Sequence, residues 1–180
     1  MPTLIIEDGT GKIDSNTYND LAAFKLYFDN IGVDVSTLTD PTIEAALFET
    51  GTTLLEIMFN YKGCISYPDT PQALSFPRTG LVDRRGLVVA EDAVPPELLA
   101  AQNELARSVA INDRLAYSDA PDNTGAVKKE KLDVLMTEYF GPGTAPSILI
   151  TQDVEAYVTK LLAPYIKGSN RFQINNIAVQ

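Results

Sequence analysis

Histidine is absent from the 180-residue sequence, and Cys64 is its single cysteine. Without histidine, the chain lacks both the usual base that activates a serine or cysteine nucleophile and the commonest metal ligand. One cysteine excludes a disulfide within the chain. We therefore interpret Cys64 as a small buried hydrophobic residue. We expect a protein that is not an enzyme, with no catalytic residue, metal or cofactor.

Positive charge is also scarce, since 14 Lys and Arg residues face 24 Asp and Glu residues, for a net charge of −10. The densest basic clusters are short, namely Arg84-Arg85 and the stretch 128–131. Proteins that bind nucleic acid tightly usually present a basic stripe, because phosphate contacts dominate the affinity. The charge balance thus argues against tight nucleic-acid binding as the main activity.

Long hydrophobic runs are missing too. No stretch approaches the roughly 20 apolar residues that a membrane-spanning helix needs. The first residues, MPTLIIEDGTG, lack the basic start of a secretory signal and turn acidic early. With 45% hydrophobic and 21% charged residues, the composition is that of an ordinary globular domain. We expect a cytoplasmic origin and no membrane partner.

Apolar residues recur at helical spacing in four segments, which predicts a mainly α fold with a small helical bundle. The predicted helices cover residues 16–31, 41–61, 96–115 and the segment from Thr151 to Pro164. Gly51 lies inside the second helix, where glycine costs roughly 1 kcal/mol relative to alanine. Its presence predicts a close helix crossing at that point.

Residues 127–140 fit two patterns. Their apolar residues alternate as in a strand but also match a helix, and the flanking glycines favour a β-hairpin or paired strand. The last residues, 169–180, have no helical period and are predicted to form an extended arm. The predicted organisation is one helical domain, 1–168, which includes a long loop at 64–94, followed by the arm 169–180.

The long loop is the most informative feature. Residues 71–96 lack a helical period yet carry too much apolar surface to remain in water. Such a loop packs on its own helices or on another chain. We predict that neighbouring protomers or a partner cover both this loop and the arm. The predicted partner-binding residues are Phe76, Arg78, Leu81, Val82, Arg84, Arg85, Phe172, Ile174, Ile177 and Val179.

Local interpretations of the loop's arginines remain open beside this one. Pro77-Arg78 fits a tight turn in which the guanidinium binds nearby carbonyl groups, and Arg84-Arg85 fits a solvated turn. The string GTGK at residues 9–12 superficially suggests a phosphate loop. It lacks the first glycine at the proper spacing and the Ser/Thr after Lys12, so that motif is rejected.

The order of several strings resembles a known family. The chain has EDGTG near its start, QALSFPR at residues 72–78, GLVDRRG at 80–86 and VPPE at 94–97. This pattern resembles proteins of tailed bacteriophages and prophages often labelled "DnaT-like single-stranded-DNA-binding protein". The similarity covers about residues 3–115 and is weaker near 131–139 and 161–168. Phe76 stands where the family often carries tryptophan.

Members of that family look like head–tail adaptors, or head-completion proteins. The resemblance implies a virion protein of the neck, with about twelve copies in a ring beneath the portal. It implies three partners: the portal protein, neighbouring copies and the next tail or neck protein. Genomic DNA would pass through the lumen without specific binding. The alternative function is the one in the label, a DnaT-like single-stranded-DNA-binding protein.

Overall fold

A computed structural model describes residues 2–111, 127–131, 136–139 and 152–168. The fold is mainly α-helical, as predicted, with small two-stranded antiparallel sheets. Among the described helices, none combines the length and apolar character that crossing a bilayer requires. The elements are α1 (Leu21–Ile31), α2 (Asp40–Glu49), α3 (Leu55–Met58), β1 (Cys64–Ile65), β2 (Arg78–Thr79), α4 (Pro96–Ile111), β3 (Val127–Lys131), β4 (Met136–Tyr139) and α5 (Gln152–Leu162).

Helix α1 begins at Leu21, later than the predicted start at residue 16. The preceding residues bind the N-terminal segment instead: Asn16 N donates to Ile5 O and Glu7 N donates to Thr17 O, both at 2.9 Å. Asp20 then caps the helix by accepting a hydrogen bond from Ala23 N at 2.7 Å. The helix ends as predicted, at a left-handed glycine that follows Ile31.

The second predicted helix is interrupted by a π-helical turn. Helix α2 runs into the π turn Thr50–Leu54, which leads into the short helix α3. A Cβ atom placed on Gly51 would lie 2.5 Å from Asn16 O and 3.1 Å from Gln102 Nε2. Space at Gly51 is tight, but the predicted close helix crossing is not what fills it, because the nearest backbone is the loop at Asn16 and Thr17 and α4 contributes only the Gln102 side chain. The helical stretch ends at Met58, three residues before the predicted end.

Helix α4 is the central element of the fold, with α2 on one side and α5 on the other. The predicted extension of this helix to residue 115 lies outside the described residues. Helix α5 ends before Pro164, as predicted. Strands β3 and β4 pair antiparallel, with Glu130 opposite Thr137. For residues 127–131 and 136–139, this pairing confirms the strand interpretation over the helical one.

Two hydrophobic clusters share α4. One contains the aromatic side chain of Phe76, whose ring meets those of Tyr18, Tyr61 and Tyr165 edge-on, with centroids 5.0–6.4 Å apart. The other joins α1 and α2 to the C-terminal half of α4, and its core residues are Phe24, Phe28, Val35, Ile43, Ala46, Leu47, Ala106 and Ala110.

A buried amide connects the two clusters. Gln102 Oε1 accepts a hydrogen bond from Tyr18 N at 3.0 Å, while Gln102 Nε2 donates to Thr17 Oγ1 and Leu47 O at 2.9 and 3.0 Å. Because these bonds satisfy the amide on both sides, its burial leaves no polar atom unpaired. Gln102 therefore connects α4 to α2 and to residues 17 and 18, which precede α1.

Two sequence expectations about burial are wrong. Cys64 is exposed, since β1 lies at the surface. The inner part of the long loop is buried within this chain, with Leu74, Phe76 and Leu81 all at or below 4% exposure. The chain's own helices and aromatic rings already cover these side chains, so no neighbouring protomer is needed to bury them.

Candidate functional site

Two segments that are distant in sequence, residues 60–62 and 165–167, meet at one edge of the first cluster. Lys62 N donates to Tyr165 O and Lys167 N donates to Asn60 O, each at 2.7 Å. Tyr61 and Ile166 form the antiparallel bridge between these two segments. The C-terminal segment therefore sets Lys167 opposite Asn60, two residues before Lys62, and the Lys62 ammonium donates to Pro164 O at 2.8 Å.

Arg78 extends this edge through three hydrogen bonds to main-chain carbonyl groups. Its Nε donates to Lys62 O at 2.7 Å, and its terminal nitrogens donate to Ser75 O and Gly63 O at 3.1 Å. The guanidinium also lies 5.9 Å from the centroid of the Tyr61 ring. The local-turn interpretation of Arg78 holds for Ser75 O alone, because the other two acceptors, Lys62 O and Gly63 O, are 16 and 15 residues away. Its acceptors are neutral, so no carboxylate cancels its charge.

Arg84 links the long loop to α5. Its Nη2 donates to Lys160 O at 2.6 Å, in the last turn of that helix. Lysine and arginine side chains near a helix C-terminus are favourable because they face the negative end of the helix dipole. The bond brings the loop to the C-terminal turn of α5, which carries the exposed Lys160 and leads into the segment that pairs with residues 60–62.

We name five cations of this region the basic edge: Lys62, Arg78, Arg84, Lys160 and Lys167. Among the described residues, none of them has a carboxylate within salt-bridge distance. Two carboxylates lie nearby: Glu97 accepts a hydrogen bond from the neutral Tyr165 OH at 3.0 Å and keeps its charge, whereas Asp83 pairs with Arg85 at 3.0 Å.

No short-range sequence pattern indicates that these cations lie together. The lysines and arginines are scattered along the chain, so composition alone does not show which of them lie close together in the fold. Only the pairing of residues 60–62 with 165–167, together with the bond from Arg84 to α5, brings them to one place. Strand pairing between distant segments has no short-range sequence signal that would reveal it.

The outer part of the long loop, residues 82–88, forms a tight turn that we call the tip. Asp83 organises it: its Oδ1 accepts hydrogen bonds from Arg85 N and Leu87 N at 2.8 Å. Asp83 N donates to Leu87 O, and Gly86 adopts a positive φ of 82° that suits glycine. These backbone bonds lower the pKa of the Asp83 carboxyl.

The tip presents apolar and cationic groups to solvent. Val82, Leu87 and Val88 are 48%, 56% and 81% exposed, and the Arg85 side chain is 78% exposed. Because Asp83 already orders the backbone, little conformational entropy remains to be lost when a partner binds. The tip adjoins the basic edge through Arg84.

The structure separates the ten predicted partner-binding residues. Phe76 and Leu81 lie in the core, which removes them from any partner surface. Arg78 and Arg84 belong to the basic edge, whereas Val82 and Arg85 lie at the tip. The four from the arm, Phe172, Ile174, Ile177 and Val179, lie outside the described residues.

The N-terminal turn explains why GTGK is not a phosphate loop. The buried carboxylate of Glu7 accepts hydrogen bonds from Gly9 N, Gly11 N and Lys12 N at 2.8–2.9 Å. These are the amide groups that such a loop would offer to a ligand. Because an internal carboxylate occupies them, the turn is a structural element. The Lys12 ammonium beside it lowers the pKa of Asp8 to about 2.

No group of three or more metal-binding side chains occurs within the described part of the chain. The comparison with protein families gives one match: the model of a family described as "Putative DnaT-like ssDNA binding protein" covers residues 2–179. The comparisons with curated proteins and with solved structures found no match.

Proposed function

The chain belongs to this DnaT-like family, and from that premise we propose that it binds single-stranded DNA through the basic edge. The observation that carries the proposal is the convergence of Lys62, Arg78, Arg84, Lys160 and Lys167 without carboxylate partners among the described residues. Phosphate groups can supply the negative charge that these side chains lack within the protein.

The expected mode of binding is contact with the DNA backbone. Proteins that bind single strands without sequence preference combine a cationic surface with exposed aromatic rings. Tyr61 and Tyr165 are buried and do not offer a free ring face, whereas Tyr157, one turn before Lys160 on α5, is 47% exposed. With a net charge of −10, the rest of the chain repels DNA. We expect weak binding, with a Kd on the order of 10–100 µM near physiological salt.

A fluorescence-anisotropy titration with labelled oligo-dT tests this proposal. The edge variant K160Q/K167Q removes two lysines whose side chains make no hydrogen bond within the described residues. The control K12Q/K25Q removes the same amount of charge elsewhere. We expect roughly tenfold weaker binding for the edge variant at low salt, and less than about threefold for the control. Equal losses, or no binding by the wild type, would contradict the proposal.

A second candidate function is a structural role as a head–tail adaptor of a tailed bacteriophage. The observation that favours it is the tip, an ordered and exposed apolar turn that fits docking to another protein better than contact with DNA. In this role about twelve copies would form a ring in the virion neck. That ring would join the portal to the next tail or neck protein and let genomic DNA pass.

Co-purification with a portal protein tests the adaptor role. The tip variant L87D/V88D should lose the complex, whereas the control I13D, which changes another exposed apolar residue, should retain it. Oligo-dT binding should stay unchanged in the tip variant, so the two functions are measured separately. Deletion of residues 169–180 tests the predicted docking of the arm in the same assay. An unaffected tip variant would contradict a role for the tip in that complex.

A further inference from the structure

Charge is segregated between the two ends of α4. Near its N-terminus, Glu97 binds Tyr165 beside the basic edge. Near its C-terminus, Ala106 and Ala110 pack in the cluster that contains α1 and α2. At 1.5 Å per residue, Glu97 and Ala110 lie about 20 Å apart along the helix. The basic edge therefore lies toward the N-terminal end of α4, whereas the core of the α1–α2 pair packs on its C-terminal half.

The α1–α2 end is strongly acidic. Lys25, the one cation between residues 20 and 49, is paired with Asp40 at 2.6 Å, and Arg107 of α4 lies 5.7 Å from the centroid of the Phe28 ring on α1. Asp29 and Glu44 have no cation within salt-bridge distance among the described residues. The segment from residue 20 to residue 49 contains six carboxylates, of which Glu49 is buried and the other five are Asp20, Asp29, Asp34, Asp40 and Glu44.

Each end also carries exposed apolar side chains. On α1, Leu26 and Ile31 are 60% and 50% exposed, close to Asp29. At the opposite end, Val82 and Val88 of the tip adjoin the basic edge through Arg84. The two ends are thus complementary in charge, and each carries apolar surface that contact would remove from water.

We propose that, in the absence of nucleic acid, the acidic α1–α2 end of a second copy docks on the basic edge and limits access to it. This inference rests on the proposed function, because it describes how binding at that same edge is regulated. The carboxylates of the second copy take the positions that DNA phosphates occupy when a strand is bound. Single-stranded DNA and the second copy therefore compete for one surface.

The geometry determines how such a contact behaves. It joins two different surfaces, so each bound pair retains one free basic edge and one free acidic end. Association should therefore increase with protein concentration and continue beyond a closed dimer. Because exposed charges are screened beyond about 10 Å in 0.1 M salt, the contact should weaken steeply as the salt concentration rises.

Sedimentation velocity at low and high salt tests the contact, with two charge-reversal variants. D29K/E44K reverses charge at the acidic end, and K160E/K167E reverses charge at the basic edge. Each variant alone should sediment as a monomer at low salt, where the wild type associates. A mixture of the two should associate again, because the reversed surfaces are complementary. The control D69K/E91K, which changes exposed acids in the long loop, should behave like the wild type.

The outcomes separate the contact from the DNA-binding proposal. Monomeric wild type at low salt, or a mixture that does not associate, overturns the contact. If the copies associate and the mixture is rescued, oligo-dT added to the wild type should dissociate them. If oligo-dT binds while the copies stay associated, the proposed competition between DNA and the second copy is wrong. Oligo-dT that fails to bind overturns the proposed function alone, because the charge-reversal result requires no DNA.

Discussion

The inner and outer parts of the long loop resemble each other in composition but differ in their place in the fold. Residues 72–81 send Leu74, Phe76 and Leu81 into the core, whereas the tip leaves Leu87 and Val88 in solvent. Apolar content alone therefore did not show which part of this loop another chain would need to cover. The two parts differ in which residues hydrogen-bond to their backbone or pair with it.

The inner part is held by contacts to elements distant in sequence. Arg78 binds carbonyl groups of residues 62 and 63, and β2 pairs with β1. The backbone of the tip is closed by its own residues, since Asp83 binds the amides of Arg85 and Leu87, while the Arg84 side chain joins the tip to α5. A turn closed on itself needs no surrounding core, so its apolar side chains remain available to a partner.

The largest expected difference between the two parts is in stability. Phe76→Ala removes a fully buried ring that contacts three tyrosines, and it should lower the free energy of unfolding by about 3–5 kcal/mol. The matched change at the tip, Val88→Ala, should stay within about 0.5 kcal/mol. Urea denaturation of both variants measures the difference. A loss at Val88 as large as that at Phe76 would show that the tip packs on this chain.

An intermediate difference in unfolding free energy is expected between alanine variants of two arginines, Arg78 and Arg85. Arg78→Ala leaves several carbonyl groups without their charged donor and should cost about 1.5–3 kcal/mol of unfolding free energy. Arg85→Ala removes an exposed pair with Asp83, which is worth at most about 1 kcal/mol. The same urea experiment compares them. Arg78→Lys serves as a further control, because it retains the charge but not the planar fork.

The smallest expected effect is the pH response of the tip. Hydrogen bonds from Leu87 N and the Arg85 side chain and backbone hold the pKa of Asp83 below its usual value. A carboxyl group with a lowered folded-state pKa stabilises the fold above its unfolded pKa, and this contribution is lost as the pH falls through the folded value. Below about pH 4 the tip should loosen while the core stays intact.

The NMR signal of the Leu87 amide reports this change directly. It should move as Asp83 is protonated, and the movement should disappear in Asp83→Asn. The resonances of Phe76 serve as an internal reference, since they should remain unchanged over the same range. Simultaneous loss of both signals would show that the tip does not open independently of the core.

Several elements could be predicted from the sequence because local patterns specify them. Helical spacing of apolar residues indicated α1, α2, α4 and α5, and Gly51 marked a close backbone approach. The start of α1 was missed because Asn16 and Thr17 hydrogen-bond to the N-terminal segment instead of continuing the helix. Cys64 was missed because its exposure depends on the position of a two-residue strand at the surface.

The candidate site was largely beyond sequence reasoning. Arg78 and Arg84 were singled out, but their assembly with Lys62, Lys160 and Lys167 depends on contacts between distant segments. Composition correctly showed an acidic chain, yet a net charge of −10 says nothing about where the fourteen cations lie. Net charge sums over the whole molecule, whereas a ligand contacts only the local field.

By itself, the sequence determined the helical character of the chain, the absence of histidine chemistry and the order of a long apolar loop, because these follow from residue type and short-range spacing. Tertiary structure alone decided which part of that loop is buried and which cations meet. Both outcomes arise from pairing between residues far apart in the chain, and such pairing depends on the geometry of the whole fold.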